Sequence, residues 1–545
     1  MTHDEALPHA RSRPVVWSIA GSDSGAGAGI QADLRAFDAF DLHGCTAIAA
    51  ITAQNSLRVE RVDAVAVDLL DAQLAALASD LPPRAIKTGM LGSAANVRCV
   101  AGWVDTLRRD RPVALVIDPV WRATTGADLS SNALREVLLS ELLPRATVIT
   151  PNRAEAAWLL GWDAQALTSH AGVERAAAAL RRLGVQGVVI TGGDASGAAD
   201  RSQSLDWIDT PQAQGWLALP RVATPHHHGS GCVFAASLAA ALALDFCSAD
   251  ACVLAKMSST QALRQAFGAG QGAGAVRPRR GFGVQADLIP TLRGPTRPDR
   301  EADADATPTA RGFASLTQPR IGLYAVVDSA DWVERVLAAG VRTVQLRIKA
   351  SAQLPAEQLC AEIVRSVRAA RAVQAQLFIN DHWQLAIAHG AYGVHLGQED
   401  LVNVDMAALR RAGLRVGLST HAFWEVARAH AWAPSYIACG PIHATTTKDM
   451  PWRPQGPANL AYWCQVLREP VVAIAGMDGE RSLEAMRCGA AGVAVLRGIT
   501  ASPDTHRVVQ QLQDAIAAAY LAAPLAAPEL PRTTFVETTR LGAVR

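Results

Sequence analysis

The sequence predicts two α/β domains in one chain, an open doubly wound sheet followed by a closed (β/α)8 barrel. A segment without apolar periodicity, residues 291–319, is rich in Pro, Thr and charge and is typical of a linker. After it, eight short apolar runs alternate with helix-like stretches, which is the count of a (β/α)8 barrel. Before it, strands and helices alternate at irregular spacing, which favours an open sheet with helices on both faces.

The predicted strands follow from the apolar runs. We divide the chain into an irregular N-terminus (1–13), a first domain (14–290), the linker (291–319), a second domain (320–522) and a C-terminal tail (523–545). In the first domain an extended hairpin is expected over residues 201–220, and the other predicted strands are Val15–Ala20, Ala85–Thr88, Leu115–Ile117, Thr147–Thr150 and Val188–Thr191. The eight runs of the second domain are Leu323–Val327, Thr343–Arg347, Leu377–Ile379, Gly393–Leu396, Arg415–Leu418, Tyr436–Cys439, Val471–Ala475 and Gly492–Leu496.

The composition is that of a folded enzyme in a reducing compartment. Half of the residues are hydrophobic, and 51 basic against 50 acidic residues argue against a general nucleic-acid binder. Nine cysteines without a CxxC pair favour free thiols. Met1–Pro14 lacks the apolar core of a signal peptide, and no apolar stretch reaches the length of a membrane span. We therefore expect a cytoplasmic protein without nucleic-acid or membrane partners, and a homo-oligomer stays an open possibility.

Two glycine-rich segments begin helices in the first domain. Gly21–Asp33, GSDSGAGAGIQAD, follows the first strand, and His226–Leu244 contains HHHGSGC before an apolar helix. Glycines let backbone N–H groups approach a ligand at a helix N-terminus, which attracts anions. A single turn of this kind occurs in many α/β proteins, whereas two together predict a phosphate site suited to phosphoryl transfer.

Polar residues follow the strands of the predicted barrel. The segments are Gln345–Lys349, Ile379–Asp381, His395–Asp400, Leu418–Thr420 and Gly440–Lys448. Two carboxylates, Asp381 and Asp400, suit a shared Mg²⁺, and three cations suit a pyrophosphate: Arg347, Lys349 and Lys448. Each residue alone also fits an ordinary salt bridge, but together they predict a barrel mouth that binds pyrophosphate with Mg²⁺ and helps it leave.

The first domain carries motifs that resemble a known family. AGSDSGAGAGIQAD, TAQNS, KTGML, DPV, TPNRAEA and HGSGC occur in this order between Pro14 and about Pro290. The set is similar to the hydroxymethylpyrimidine/phosphomethylpyrimidine kinases of the ribokinase-like superfamily. The resemblance implies that Gln54 binds the aminopyrimidine edge, with help from Gly21, Asp33, Met90 and Val120. It implies ATP as co-substrate, with Mg²⁺ and the ATP phosphates near Asn152, Glu155, Thr191 and Gly193.

The same resemblance places the reaction centre at Gly229, Ser230, Gly231 and Cys232. A helix N-terminus can lower the pKa of a thiol, so Cys232 is a candidate base for the substrate hydroxyl. The alternative is that Cys232 only shapes the anion hole. Three residues depart from the family pattern: Ala26, Thr191 in place of a common Lys, and His227. The run His226–His228 does not predict a metal site, because neighbouring side chains diverge.

The second domain resembles thiamine phosphate synthase between about Arg320 and Ala522. The resemblance implies that pyrophosphate leaves a pyrimidine pyrophosphate and that the resulting cation is captured by thiazole phosphate. Implied ligands of phosphate or pyrophosphate are Asn380, Ser419, Thr445 and Thr447, beside Gln345, Arg347, Lys349 and Lys448. Gly476, Leu496 and Arg497 are expected near thiazole phosphate. His443, Ala444, Ala475 and the Leu496–Arg497 pair depart from the common pattern.

The two resemblances describe consecutive reactions, which predicts a bifunctional enzyme of thiamine phosphate biosynthesis. A pyridoxal-type kinase joined to a thiazole tautomerase-like barrel is one alternative. A ligand-binding regulator with one inactive half is another, motivated by Thr191 and Arg497. Channelling of the intermediate between the halves is a further hypothesis, prompted only by the fusion.

Overall fold

The computed structural model describes residues 13–121, 132–193, 202–295, 312–349, 354–445 and 451–535. The chain forms two compact units, one of residues 1–283 and 287–298 and the other of residues 284–286 and 299–545. Two predicted site residues, Thr447 and Lys448, lie outside the described residues.

The first unit is built on a mixed sheet, with ten strands in the part of the chain that is described. Its spatial order is β10-β9-β8-β7-β6-β5-β4-β1-β2-β3, and the pairs from β2 through β1 and β4 to β7 are parallel. The strands are β1 Val15–Asp23, β2 His43–Gln54, β3 Val59–Ala64, β4 Ala85–Thr88, β5 Ala114–Ile117, β6 Val148–Ile149, β7 Val188–Ile190, β8 Gln203–Asp209, β9 Gln214–Pro220 and β10 Thr291–Arg293.

Helices cover both faces of this sheet, which confirms the predicted doubly wound class. Trp17 and Ile19 of β1 belong to a core cluster with Leu70 and Val97, whereas Ser18, pointing the other way, bonds to Asp33. The helices are α1 Gly29–Ala39, α2 Val67–Asp80, α3 Ala94–Asp110, α4 Asn132–Val137, α5 Arg153–Leu160, α6 His170–Arg181, α7 Ser230–Ala243 and α8 Ser248–Arg264. A π-helical turn, Leu138–Leu142, continues α4, and short 3-10 turns lie at Leu143–Arg145, Ala164–Leu167 and Ala286–Leu288.

Three strands differ from the sequence-based expectation. The strands β2 and β3 were not predicted, because β2 reads HGCTAIAAITAQ and alanine and glycine carry little β preference. Long parallel pairing with β1 supports β2 instead. The segment predicted as linker contributes β10, which pairs antiparallel with β9. The predicted extended hairpin is confirmed as β8 and β9.

The second unit is a closed barrel of parallel strands in sequential order, β11 to β18, as the sequence predicts. Its described strands are β11 Gly322–Val327, β12 Thr343–Leu346, β13 Gln376–Asn380, β14 Gly393–Leu396, β15 Arg415–Thr420, β16 Tyr436–Cys439, β17 Val471–Ile474 and β18 Gly492–Val495. Its helices are α9 Ala330–Ala338, α10 Ala356–Ala372, α11 Trp383–Ala388, α12 Met406–Arg411, α13 Phe423–His430, α14 Gly456–Val466, α15 Gly479–Arg487, α16 Arg497–Thr500 and α17 Thr505–Ala519, with a 3-10 turn at Asp400–Val402.

Part of the predicted C-terminal tail packs on the barrel. The Arg532 N–H donates to Oδ1 of Asn459 at 3.0 Å, and the Arg453 N–H donates to the Thr534 carbonyl at 2.7 Å. The Phe535 ring packs edge-on against Trp452, with centroids 5.0 Å apart. Residues 532–535 therefore form part of the second unit. Among the described residues, no helix is long and apolar enough to cross a membrane.

Candidate active sites

The first glycine-rich loop of the first unit is organised around Asp23, the last residue of β1. Its carboxylate accepts hydrogen bonds from the N–H groups of Gly25, Gly27 and Ala28 at 2.8–2.9 Å, and from Nε2 of His228 at 3.1 Å. Burial alone would raise the pKa of Asp23, but these hydrogen bonds outweigh it and lower the pKa. The loop N–H groups expected to approach a ligand are therefore already bonded to the chain's own carboxylate.

The two glycine-rich segments fit into each other. A side chain at Gly27 would collide with the His228 ring, and one at Gly229 would collide with the Gly27 carbonyl. Gly229 also has φ +82°, which glycine adopts without strain. The Gln54 side-chain amide contacts the same ring, with 3.3 Å between Gln54 Nε2 and His228 Nε2. The structure thus brings Gln54, predicted to bind pyrimidine, to the helix start that carries the predicted reaction centre.

The N-terminus of α7 presents the predicted anion hole. The Ser230 N–H donates to the His227 carbonyl and the Val233 N–H to the Gly229 carbonyl. In the described part of the chain, the N–H groups of Gly231 and Cys232 have no backbone acceptor. Burial raises the pKa of the Cys232 thiol to about 12, with Asp118 and Asp33 adding to this and Lys87 opposing it. The direction of this pKa shift is opposite to the lowered thiol pKa that the helix N-terminus predicts.

Beneath this helix start lies a buried cluster of charges. Lys87 Nζ is 3.0 Å from Asp33 Oδ1 and 3.3 Å from Asp118 Oδ2, and the Ser18 hydroxyl donates to Asp33 at 2.6 Å. Burial opposes the charge of Lys87, but the two carboxylates outweigh it and raise the pKa of Lys87. Asp33, predicted to contact the pyrimidine, is fully buried and both of its oxygens are bonded. It supports the site from below rather than lining it.

A pocket opens between the ends of β4 and β5. Its lining includes Met90 and Val120, both predicted to contact the pyrimidine, together with Asp118 and Trp158. Gly21 lies against Met90, because a side chain at Gly21 would come within 2.5 Å of the Met90 methyl. The structure therefore brings Met90 and Val120 together at one apolar pocket that Asp118 also lines, and it places Gly21 against Met90.

The predicted ATP-side residues lie where β6 and β7 end. Asn152 and Glu155 form a capping box at the start of α5, each side chain accepting from the other's backbone N–H at 2.8–2.9 Å. The backbones of Thr191 and Asn152 form an isolated parallel β-bridge, so the segments that contain these two predicted ATP-side residues are neighbours. The Arg221 guanidinium donates to the Gly193 carbonyl at 2.8 Å. A cation therefore stands beside the loop in which Thr191 replaces a common lysine.

In the barrel, the predicted metal carboxylates face each other. Asp381 follows β13 with φ +62°, an uncommon conformation for a residue with a side chain. Burial and the neighbouring Asp400 raise the pKa of Asp381 to about 6. Asp400 accepts from the Gly397 N–H at 2.8 Å, which holds its side chain in place. Asp400 lies close enough to raise the pKa of Asp381, and two such carboxylates fit a divalent cation between them.

The interior of the barrel carries a chain of polar side chains. The Ser419 hydroxyl is 2.9 Å from His395 Nε2, and His395 Nδ1 is 2.7 Å from the Tyr436 hydroxyl. That hydroxyl is 2.8 Å from the Tyr324 hydroxyl. Burial, with Arg347 nearby, lowers the pKa of His395 to about 4, so its imidazole is neutral at pH 7. The predicted residues Gln345 and Asn380 bond to each other beside this chain, at 2.6 Å.

The remaining predicted residues surround the barrel mouth. Arg347 and Lys349 follow β12, and Lys349 is exposed. Gly476 has φ +71° and packs against His443. A Cβ atom at position 476 would lie 2.7 Å from the His443 Cβ. Leu496 precedes α16, and Arg497 at its start is exposed. Thr445 precedes the undescribed residues 446–450, so the placement of Thr447 and Lys448 stays a prediction.

Sequence reasoning assigned no role to several residues of these sites. Lys87 is part of the KTGML motif, but its charge was not used, and Asp23 was treated only as part of a loop. His228 was hidden in a run of three histidines, and the tyrosines below Ser419 read as core residues. A buried lysine in a strand was the one signal that could have been used, since such a group needs a partner.

The geometry describes two transferase sites, an anion-binding helix start beside an apolar pocket and a barrel mouth with paired carboxylates. A family model for phosphomethylpyrimidine kinase matches residues 23–277, and one for thiamine monophosphate synthase matches residues 323–499. The chain belongs to the hydroxymethylpyrimidine/phosphomethylpyrimidine kinase family through its first half and to the thiamine-phosphate synthase family through its second half.

Individual relatives cover each half almost completely. A thiamine-phosphate synthase of Serratia proteamaculans is 51% identical over 197 residues, 36% of this chain and 92% of the relative. A hydroxymethylpyrimidine/phosphomethylpyrimidine kinase of Synechococcus elongatus is 48% identical over 261 residues, 48% of this chain and 95% of the relative. A pyridoxal kinase structure from Staphylococcus aureus with ADP is 32% identical, covers 49% of this chain and 93% of its own, and has a TM-score of 0.43.

Proposed function

We propose that this chain performs two consecutive steps of thiamine phosphate biosynthesis. Its first half transfers phosphoryl groups from ATP to 4-amino-5-hydroxymethyl-2-methylpyrimidine, giving first the phosphate and then the pyrophosphate. Its second half couples that pyrophosphate to thiazole phosphate, releasing pyrophosphate. The observation that carries this proposal is that each half matches nearly the full length of one enzyme, a kinase and a synthase. The pyrimidine pyrophosphate that the kinase makes is the substrate of the synthase.

In the kinase half, binding and stabilisation of charge are separate tasks. Gln54 and the pocket of Met90 and Val120 hold the aminopyrimidine, since an amide both donates and accepts hydrogen bonds. The N–H groups of Gly231 and Cys232 stabilise the charge that develops on the transferred phosphoryl oxygens. Because burial raises the pKa of the Cys232 thiol, we assign it to the anion hole and not to proton removal. Asn152, Glu155, Thr191 and Gly193 remain the proposed ATP side of the site.

In the synthase half, we propose that Asp381 and Asp400 hold Mg²⁺. When bound, the ion neutralises charge on the departing pyrophosphate. The departing pyrophosphate also meets positive charge from Arg347, Lys349 and Lys448. The side chains of Ser419 and Asn380 donate hydrogen bonds to the pyrophosphate oxygens. Gln345 orients Asn380 through their mutual bond. Gly476 and Arg497 offer an N–H group and a guanidinium to the phosphate of the thiazole. Catalysis is electrostatic and needs no protein nucleophile.

The test uses the purified full chain with hydroxymethylpyrimidine, ATP, Mg²⁺ and thiazole phosphate. We expect thiamine phosphate as the product. Asp381→Ala should stop the pathway at the pyrimidine pyrophosphate, whereas a variant of the anion hole, Gly231→Pro, should be rescued by pyrimidine pyrophosphate supplied directly. Pyridoxal in place of hydroxymethylpyrimidine is the matched control. Turnover of pyridoxal without turnover of hydroxymethylpyrimidine would refute the proposed kinase substrate.

A location in the cytoplasm and the domain limits 14–290 and 320–522 belong to the same proposal. Fractionation of cells that express the chain tests the location. Expression of each segment alone tests whether these limits give folded, active enzymes.

A further inference from the structure

The hydrogen bonds that link Tyr324, Tyr436, His395 and Ser419 inside the barrel can all donate in the same direction. An imidazole with one N–H donates from one ring nitrogen and accepts at the other, so the hydroxyls of Tyr324, Tyr436 and Ser419 and the His395 ring can arrange their protons in two consistent orders. In one order, each group from Tyr324 onward donates toward Ser419. In the other, each group from Ser419 onward donates toward Tyr324. The two orders differ in which group at the end of the chain keeps a proton without an acceptor.

Burial selects the first order. The Tyr324 side chain is 1% exposed, and among the described residues its hydroxyl has Tyr436 as its hydrogen-bond partner. If Tyr436 donated to Tyr324, the Tyr324 proton would be buried without an acceptor, which carries the full desolvation penalty of the group. If Tyr324 donates, every buried proton has an acceptor. The free proton is then that of Ser419, which is partly exposed at the carboxyl end of β15.

The barrel interior packs closely around the Tyr436 ring. Gly417 lies two residues before Ser419 on β15, and any side chain there would collide with the Tyr436 ring. Phe378 packs edge-on against Tyr436 from another strand, with centroids 5.1 Å apart, and His395 stacks on the same ring at 5.7 Å. This packing fixes the Tyr436 ring and therefore the position of its hydroxyl oxygen 2.7 Å from His395 Nδ1.

We propose that His395 is a positioning residue, held by Tyr436 and Tyr324 as the tautomer protonated on Nε2, and that it keeps the Ser419 hydroxyl as a donor toward an anionic substrate oxygen. With Nε2–H donating to Ser419 Oγ, the serine proton points to the site. A serine that donated to His395 would turn lone pairs toward an anion, which repels it. This inference rests on the proposed function for the identity of the anion, but the tautomer itself does not.

The first test measures the tautomer in the unmodified full chain. Protein with ¹⁵N-labelled histidine is examined at pH 7, and the His395 signals are identified by their loss in His395→Gln. We expect a protonated Nε2 and an unprotonated Nδ1. Protonation on Nδ1, or on both nitrogens, would overturn the inference. This measurement needs neither substrate nor metal, so it remains decisive even if the proposed reaction is not observed.

The second test uses synthase kinetics with pyrimidine pyrophosphate as the varied substrate. Tyr436→Phe removes the donor that fixes His395, and we expect its KM to rise by about tenfold or more, with a smaller change in kcat, as for loss of a hydrogen bond to a charged group. Tyr324→Phe should have a smaller effect, because Tyr436 still donates to His395. Tyr392→Phe is the matched control, since its hydroxyl bonds to Gln376 and Thr317 away from Ser419.

Two further variants separate positioning from packing. His395→Gln places an amide N–H near the position of Nε2 and should retain most of the affinity that His395→Ala loses. In a Ser419→Ala background, Tyr436→Phe should raise KM no further, because its effect passes through the serine. An undiminished effect in that background, or a Tyr392→Phe variant as impaired as Tyr436→Phe, contradicts the inference. If the wild-type chain makes no thiamine phosphate, the proposed function fails and the tautomer measurement alone decides this one.

Discussion

Lys87 is expected to be a highly sensitive position in the first unit. Lys87→Met keeps a similar volume but removes the cation that faces Asp33 and Asp118 in a fully buried cluster. Breaking a buried pair from one side leaves an uncompensated charge and costs about 3–5 kcal/mol. That is a large share of the 5–15 kcal/mol by which domains are typically stable, so the first unit should unfold at much lower urea concentration.

The loss should depend on pH in a defined sense. Burial already raises the pKa of Asp33, and loss of Lys87 removes the attraction that opposes this rise. A carboxyl whose pKa is higher in the folded state stabilises the fold below its unfolded pKa, and this contribution is lost as pH rises through the folded value. The deficit of Lys87→Met should therefore be small near pH 4 and grow toward pH 8. Asp33→Asn in the same chain should recover most of it.

The assay is urea unfolding of the full chain, followed by hydrogen exchange of peptides from β1 and β4, which report the first unit alone. Arg84→Met is the matched control, because the Arg84–Asp245 pair is exposed and such pairs contribute about 0–1 kcal/mol. Equal midpoints for Lys87→Met and Arg84→Met at pH 8, or no recovery with Asp33→Asn, would refute the reasoning.

Three other outcomes are expected. Asp381→Asn should raise the melting temperature of the Mg²⁺-free second unit at pH 8 but not at pH 5, where the native carboxyl with its pKa of about 6 already holds a proton; equal gains at both pH values contradict the shared-charge account. Cys232→Ser should leave the shape of the kinase pH–rate profile between pH 6 and 9 unchanged, because the thiol pKa of about 12 lies above that range; a lost alkaline limb would restore the base hypothesis. Ending the chain at Leu530 should destabilise the second unit by about 1–3 kcal/mol in thermal unfolding, since buried Asn459 loses its Arg532 partners, whereas ending it at Phe535 should not.

The barrel could be predicted from sequence because its signals are local. Each strand is a short apolar run, and the polar residue that follows it lies at the carboxyl end by construction of the fold. The pairing of Asp381 with Asp400 follows from the same rule. The direction of the hydrogen bonds from Tyr324 to Ser419 could not be predicted from sequence. It depends on which hydroxyl is more deeply buried, and that is set by packing between four strands.

In the first unit, sequence reasoning found the motifs but not the partners of their side chains within the protein. Asn152 and Glu155 were expected near ATP, and their side chains cap α5, a role that the same spacing also fits. The helix N-terminus favoured a lowered pKa for the Cys232 thiol, whereas burial, with Asp118 and Asp33 nearby, raises it. Both outcomes depend on the surroundings of a residue in space, which a sequence motif does not contain.

The contact between Gly27 and Gly229 has a consequence for how the kinase site forms. The two residues are separated by about two hundred positions, so the site is complete only after the last third of the first unit has reached β1. Contacts of such long sequence separation slow folding, because loop closure precedes the stabilisation they bring. During synthesis, phosphoryl transfer should thus appear only after α7 and α8 have left the ribosome, and its onset provides a direct measure of when the sheet is complete.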